Sequence, residues 1–134
     1  MEIKVYYEDT DCGGVVYYAN YLRYFERART QFLSDRKVSL AGLQKIGIIF
    51  TVVDATIHYK SPAFYGDTLE VNTLIEGVKG SSFTVHYTIR RKGDDVLLVT
   101  GSTRMACVNR DIKPIRMPEE VRSALTSGLP KRKI

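Results

Sequence analysis

One change of hydrophobic period constrains this chain more than any other feature. From Asn20 to about Asp35, Tyr21, Phe25, Ala28 and Phe32 recur at helical spacing, and Leu22 and Leu33 broaden the stripe. After residue 48 the period becomes two. Ile49, Thr51, Val53, Ala55, Ile57 and Tyr59 alternate with Asp54, Thr56, His58 and Lys60. Leu69, Val71, Thr73 and Ile75 alternate with polar neighbours, as do Phe83, Val85, Tyr87 and Ile89. Such alternation marks half-buried antiparallel strands. A turn at Gly93-Asp94 leads into a last strand from Val96 to about Asn109, and Ile3 to Glu8 reads as a first strand. The spacing predicts one long helix, with Asn20 as its N-cap, buried against a five-stranded antiparallel sheet. Short helices are expected over Ser39–Lys45, stopping at Gly47, and over Glu119–Leu125, opened by Pro118. Strands and helices do not alternate, which argues against a parallel doubly wound sheet. The expectation is an α+β chain forming a single domain over residues 1–134. Long sheet edges are normally covered or paired, so a homo-oligomer is expected.

Composition narrows the function classes. The net charge is +5, and the tail Lys131-Arg132-Lys133 carries much of the excess. No basic stripe interleaved with aromatics is present, so nucleic acid is not an expected partner. No apolar run is long enough to span a membrane, and Met1-Glu2-Ile3-Lys4 lacks the pattern of a secretory leader. A cytoplasmic location is expected. Cys12 and Cys107 are too far apart in sequence for a CxxC pair, and only two histidines are present, so neither a disulfide framework nor a metal site is expected.

The chemistry-bearing stretch is Glu8-Asp9-Thr10-Asp11-Cys12-Gly13-Gly14, read as a loop ahead of the long helix. A turn of solvated carboxylates is the competing reading. A calcium loop starting at Asp9 fails, because Gly13 and Asn20 stand where oxygen ligands are needed. Cys12 has no base beside it in sequence, since His58 and His86 fall on distant strands with outward parity. A helix start offers free N–H groups and partial positive charge. Gly13 and Gly14 allow backbone to approach a ligand. An N–H in the stretch from Val16 to Tyr18 is placed to stabilise an oxyanion, and an ionised Asp11 can act as nucleophile or as general base to water. The assembly lacks a leaving-group acid, which suits a thiolate better than an amine.

The run Val5-Tyr6-Tyr7-Glu8-Asp9-Thr10-Asp11-Cys12-Gly13-Gly14-Val15-Val16-Tyr17-Tyr18-Ala19-Asn20-Tyr21 resembles the signature of hotdog-fold acyl-CoA thioesterases of the 4-hydroxybenzoyl-CoA thioesterase type. Tyr24-Phe25-Glu26-Arg27-Ala28-Arg29 is similar to the YbgC-type branch, and the likeness continues through Pro62, Gly66-Asp67 and Pro114-Ile115-Arg116-Met117-Pro118. The resemblance implies a hotdog fold in which the sheet wraps the helix, and hydrolysis of an acyl-CoA to a carboxylic acid and CoA. It places the catalytic carboxylate on Asp11 and the oxyanion donor on the Tyr18 backbone N–H, with Gly14 in the same turn. The branch often has His where Tyr18 stands. Val16 and Tyr17 are expected near the acyl group, while Lys79, Ser81, Ser82, Lys113 and Arg116 are expected to approach the nucleotide and phosphates. Sites at the interface of a dimer, or of a dimer of dimers (a homotetramer), follow from the same resemblance, with no cofactor or metal. The alternatives are an acyl-carrier-protein thioesterase and a non-catalytic acyl-binding module. Tyr21, Tyr59 and Tyr87 are expected in the core, and Glu26 in an ion pair with Arg23 or Arg29.

Overall fold

The computed structural model describes residues 1–127; the basic tail at 131–134 lies outside them. The elements are β1 (Glu2–Lys4), α1 (Tyr18–Asp35), α2 (Leu40–Lys45), β2 (Ile49–Tyr59), β3 (Thr68–Glu76), β4 (Ser82–Arg91), β5 (Leu97–Val108) and α3 (Glu119–Ser127). The five strands form one antiparallel sheet in the order β1-β3-β4-β5-β2, packed on α1 in the expected hotdog arrangement.

Alternation decides which face is buried. On β4, Phe83, Val85, Tyr87 and Ile89 point into the core, and the residues between them do not. From the helix, Tyr21, Tyr24, Phe25, Ala28 and Leu33 answer them. Phe25 is fully buried and stacks on Tyr87, with ring centroids 4.1 Å apart and planes within 6°. Close approach of helix to sheet depends on Gly101 of β5, where a Cβ would lie 2.7 Å from the Phe25 ring and 2.8 Å from the Thr56 carbonyl oxygen. The Tyr87 hydroxyl shares a 2.7 Å hydrogen bond with Thr103 inside the core.

Three expectations change. The first strand ends at Lys4, because Val5 turns to pair irregularly with the loop before β3: its N–H donates to Asp67 O (2.9 Å) and its carbonyl accepts from Gly66 (3.1 Å). The long helix starts three residues early, with Tyr17 at the N-cap position and Asn20 inside the first turn. The alternation on β2 does not bury one face. A bulge between Val52 and Asp54 breaks the register with β5, and Val52, Val53, Ala55 and Tyr59 are all exposed. Tyr59 therefore stands outside the core, whereas Tyr21 and Tyr87 lie inside it.

Ser39 caps α2 by accepting from the Gly42 N–H at 3.1 Å, and Gly47 ends it at φ 85°. One cation secures the loop that will form the far wall of the site. Arg91 binds Asp67 through Nε (3.0 Å), Asp94 through Nη1 (2.8 Å) and the Pro62 carbonyl through Nη2 (2.8 Å).

Candidate active site

The acidic stretch folds into a compact turn that hangs from the start of α1. Tyr7–Asp9 form one turn of 3-10 helix, and the Asp9 carboxylate accepts from the Tyr6 N–H at 3.0 Å. The chain then reverses. The Asp11 N–H donates to Val15 O (2.9 Å), the Gly14 N–H donates to Asp11 O (3.0 Å), and Gly14 sits at φ 82°. Only residues tolerant of the left-handed region fit there readily, which is the use of a glycine. Thr10 pairs with Val16, and Val15 pairs with Phe64 of the opposite loop. The Val16 N–H donates to Ala63 O at 2.9 Å, so the Arg91-clamped loop and the acidic turn are joined.

Asp11 Oδ1 accepts the Gly13 N–H at 2.8 Å, which fixes the carboxylate's orientation and leaves Oδ2 without a partner among the described residues. The residue is exposed, as are Cys12, Gly13 and Gly14. Two residues beyond the turn's return strand, Tyr18 takes the first helical position, where the backbone N–H has no acceptor within the helix. No described residue accepts from it. The partial positive end of α1 follows directly on the acidic turn that carries Asp11.

Beside the helix start lies a cleft of about 290 Å³ lined by Val15, Val16, Tyr18, Tyr21, Tyr59, Lys60, Ser61 and Pro62, with Asp11 outside this lining. Three tyrosines stand in its walls. Tyr18 and Tyr21 lie 5.6 and 5.7 Å, centroid to centroid, from Tyr59, and Tyr17 lies 5.4 Å from Tyr18. Burial pushes the Tyr21 phenol above its ordinary value, so it lines the cleft as a neutral group.

The site residues expected from the sequence divide into two groups. Asp11, Gly14, Val16, Tyr17 and Tyr18 come together at the start of α1. Lys79, Ser81, Ser82, Lys113 and Arg116 gather at the other end of the sheet. There, Gly80, Ser81, Pro114, Ile115 and Arg116 surround a separate cavity of about 250 Å³. The Met117 N–H donates to Gly80 O and the Cys107 N–H to Ser81 O, both at 2.8 Å, which ties the β3–β4 turn to the C-terminal segment. Ser82 faces Ala106, which faces Thr51 at the start of β2, whereas the tyrosine-lined cleft borders Tyr59 at its end. Eight residues of strand separate the two groups, about 25 Å along β2.

Several expectations need correction or addition. Glu26 is exposed and makes no ion pair among the described residues. Tyr59 belongs to the cleft wall instead of the core. Its strand parity points inward and its ring packs on buried Tyr21, but at the end of the edge strand β2 it stays half exposed. Asn20 is buried and hydrogen-bonded to the acidic turn, a role that helix-cap rules alone did not indicate. His58 is exposed, and His86 sits half-exposed 2.6 Å from Glu76, neither of them near Asp11. Among the described residues no group of three acidic, His or Cys side chains is arranged to hold a metal.

Known proteins share this arrangement. The sequence pattern of the thioesterase-like superfamily matches residues 5–125, which takes in the acidic turn, α1 and strands β2 to β5. The chain belongs to the thioesterase-like superfamily. Within that superfamily it is 38% identical over 124 residues to the acyl-CoA thioesterase YbgC of Haemophilus influenzae, covering 91% of this chain and 90% of that one. It is 36% identical over 120 residues to the acyl-CoA thioester hydrolase YbgC of Escherichia coli O6:H1, covering 89% of each. Among solved structures, the 1,4-dihydroxy-2-naphthoyl-CoA thioesterase Slr0204 from Synechocystis superposes with a TM-score of 0.88 at 29% identity, over 93% of each chain. As in other members of the superfamily, the fold is the hotdog and the chemistry is thioester hydrolysis.

Proposed function

We propose that the cleft at the start of α1 is half of an acyl-CoA thioesterase site in which Asp11 is the catalytic carboxylate and the Tyr18 N–H is the oxyanion donor. The observation that carries this is the pairing of an exposed carboxylate, oriented by the Gly13 N–H at 2.8 Å, with a helix-start N–H that no described residue engages. In the reaction the thioester carbonyl lies with its oxygen toward Tyr18 N–H. Asp11 either attacks the carbonyl carbon, giving a mixed anhydride that water then hydrolyses, or takes a proton from an attacking water. Negative charge then grows on the carbonyl oxygen, where a fixed donor and the helix end stabilise it, an effect of about 3 kcal/mol for one such donor. CoA leaves as a thiolate, so no acid is required for departure. Val16, Tyr17 and Tyr18 with Tyr21 and Tyr59 hold the acyl group, and the aromatic row suits a flat or aromatic acyl chain as well as a short aliphatic one. No cofactor or metal takes part, and the enzyme works in the cytoplasm.

The second half of the site comes from a partner copy. β2 is an eleven-residue edge strand whose exposed face carries Val52, Val53 and Tyr59. Unpaired edges of that length invite pairing. Antiparallel pairing of β2 with itself around a two-fold axis sets the start of one β2 beside the end of the other. The group formed by Lys79, Ser81, Ser82, Lys113 and Arg116 then approaches the partner's catalytic cleft. This register supports a CoA lying across both subunits, with its phosphates on Lys113 and Arg116 and its thioester at Asp11. A dimer is the smallest assembly that satisfies this, and a dimer of dimers is compatible with it.

The deciding experiment is steady-state hydrolysis across a panel of aliphatic and aromatic acyl-CoA substrates, with acyl-carrier-protein thioesters alongside. Asp11→Asn should lower kcat by at least about 10³-fold while leaving the circular dichroism spectrum and melting temperature essentially unchanged. Near-normal turnover by that variant would overturn the assignment. A preference for carrier-protein thioesters would move the substrate class and leave the site in place.

A further inference from the structure

Asn20 is a buried polar residue with its side chain turned away from solvent, in the first turn of α1. Asparagine is a mediocre helix former, because its amide competes with the backbone for hydrogen bonds. Here it uses that amide on a different segment: Nδ2 donates to the Asp9 carbonyl at 2.8 Å. The same carbonyl accepts the Tyr17 N–H at 3.0 Å. Tyr17 supplies no side-chain cap, and the Asp9 carbonyl, eight residues upstream, holds the N–H of that N-cap residue. One oxygen therefore joins the acidic turn to the helix start twice.

The consequence falls on the distance between two groups that must meet one substrate carbonyl. Asp11 lies two residues after Asp9, and Tyr18 lies two residues before Asn20. The turn between them is braced within itself by Asp11–Val15 and Gly14–Asp11 hydrogen bonds. Its attachment to α1 runs through Asp9. The Asp9 carboxylate accepts the Tyr6 N–H through one oxygen and lies beside the buried Tyr24 hydroxyl. Beneath it the Tyr24 hydroxyl is buried with no hydrogen bond of good geometry, and burial first, then the Asp9 charge, push its pKa up. Asp9 thus sits between a neutral buried phenol, the 3-10 turn and the helix.

We propose that Asn20 is the positioning residue of this site: by holding the Asp9 carbonyl on the first turn of α1, its amide sets the placement of the Asp11 carboxylate relative to the Tyr18 N–H. The inference rests on the proposed roles of Asp11 and Tyr18. Without Asn20 the Tyr17 N–H still holds the Asp9 carbonyl, so the turn stays attached but gains a swing. Substrate binding, which depends on the cleft walls and the partner's basic group, is untouched.

The test is steady-state kinetics of Asn20→Ala and Asn20→Ser in the full-length protein, on whichever acyl-CoA the wild type hydrolyses. Asn20→Ala should lower kcat by about 10- to 100-fold, the scale expected of an ångström-level misplacement, with KM within about threefold. Asn20→Ser, which keeps a shorter donor, should fall between the two. In the Asp11→Asn background, measured by single turnover, Asn20→Ala should cost nothing further, because a residue acting through Asp11 has nothing left to position. The proposal is overturned if a folded variant keeps kcat within about twofold, if the loss lies in KM, or if the two substitutions multiply. Failure of both single variants to fold would make Asn20 structural, and would overturn it too. Full activity in Asp11→Asn alone would instead sink the underlying assignment, so the two failures are distinguishable.

Discussion

Two carboxylates two residues apart do different work in this chain. Each carboxylate accepts one backbone N–H, Asp9 from Tyr6 and Asp11 from Gly13, but only Asp9 also has its carbonyl held on α1. The motif reads the same way at both, and only hydrogen-bond partners separate them. The glycines divide likewise. Gly14→Ala has room for its methyl but must hold φ near 82°, so a loss of about 1–2 kcal/mol is expected in urea denaturation. Gly101→Ala meets the Phe25 ring at 2.7 Å and should cost about 1–3 kcal/mol or more by the same measurement. The two cysteines also part company. Cys12 is exposed, while burial pushes the Cys107 thiol up. A thiol reagent should label one cysteine per chain in the native state, and the second only on unfolding. At acid pH, Arg91 first and the Val96 N–H second hold the Asp94 carboxyl below its ordinary value. A carboxyl depressed on folding stabilises the native state above its unfolded pKa, near 4, and that contribution fades as pH falls through the folded value. Asp94→Asn should therefore flatten the acid side of a melting-temperature profile below about pH 4, relative to wild type.

At the scale of elements, α1 and β2 carry the argument. α1 presents one apolar stripe to the concave face of the sheet, and its N-terminus to the acidic turn. Phe25→Ala removes the ring stacked on Tyr87 and should destabilise the fold by about 3–5 kcal/mol, read from chemical denaturation. β2 was legible as a strand but not as an edge. Its residues alternate as neatly as those of β4, yet β4 is flanked by β3 and β5 while β2 has β5 alone. Which strand ends at a sheet margin is a matter of pairing order, which residue alternation does not encode. If β2 pairs with its own copy, charges placed near its middle face each other. Val53→Lys with Ala55→Lys should convert the assembly to monomer by light scattering, retain the sheet signal in circular dichroism, and abolish turnover at dilute protein.

Across the whole molecule, the proposed catalytic and phosphate-binding groups lie at opposite ends of one sheet, about 25 Å apart along β2. A single chain cannot present both to one ligand of ordinary length if they must meet at β2's end. Two chains paired through β2 can. Mixing Asp11→Asn with Arg116→Ala, each poor alone at low substrate, should restore about a quarter of wild-type sites. Half of the random dimers are mixed, and each mixed dimer holds one site with both groups intact. No recovery on mixing would place both groups of a site on one chain.

The sequence by itself determined the period switch from one helix to four long strands, hence the α+β layering, and the acidic turn with its glycines at the helix start. These depend on local spacing, which a chain carries in its own order. Tertiary structure alone decided that Tyr59 lines the cleft, that β2 is the free edge, that Asn20 grips Asp9, and that Lys113 and Arg116 stand far from Asp11 within one chain. Each of those depends on contacts between residues distant in sequence, or on the order in which strands pair. No period, cap or motif in the chain specifies either of them.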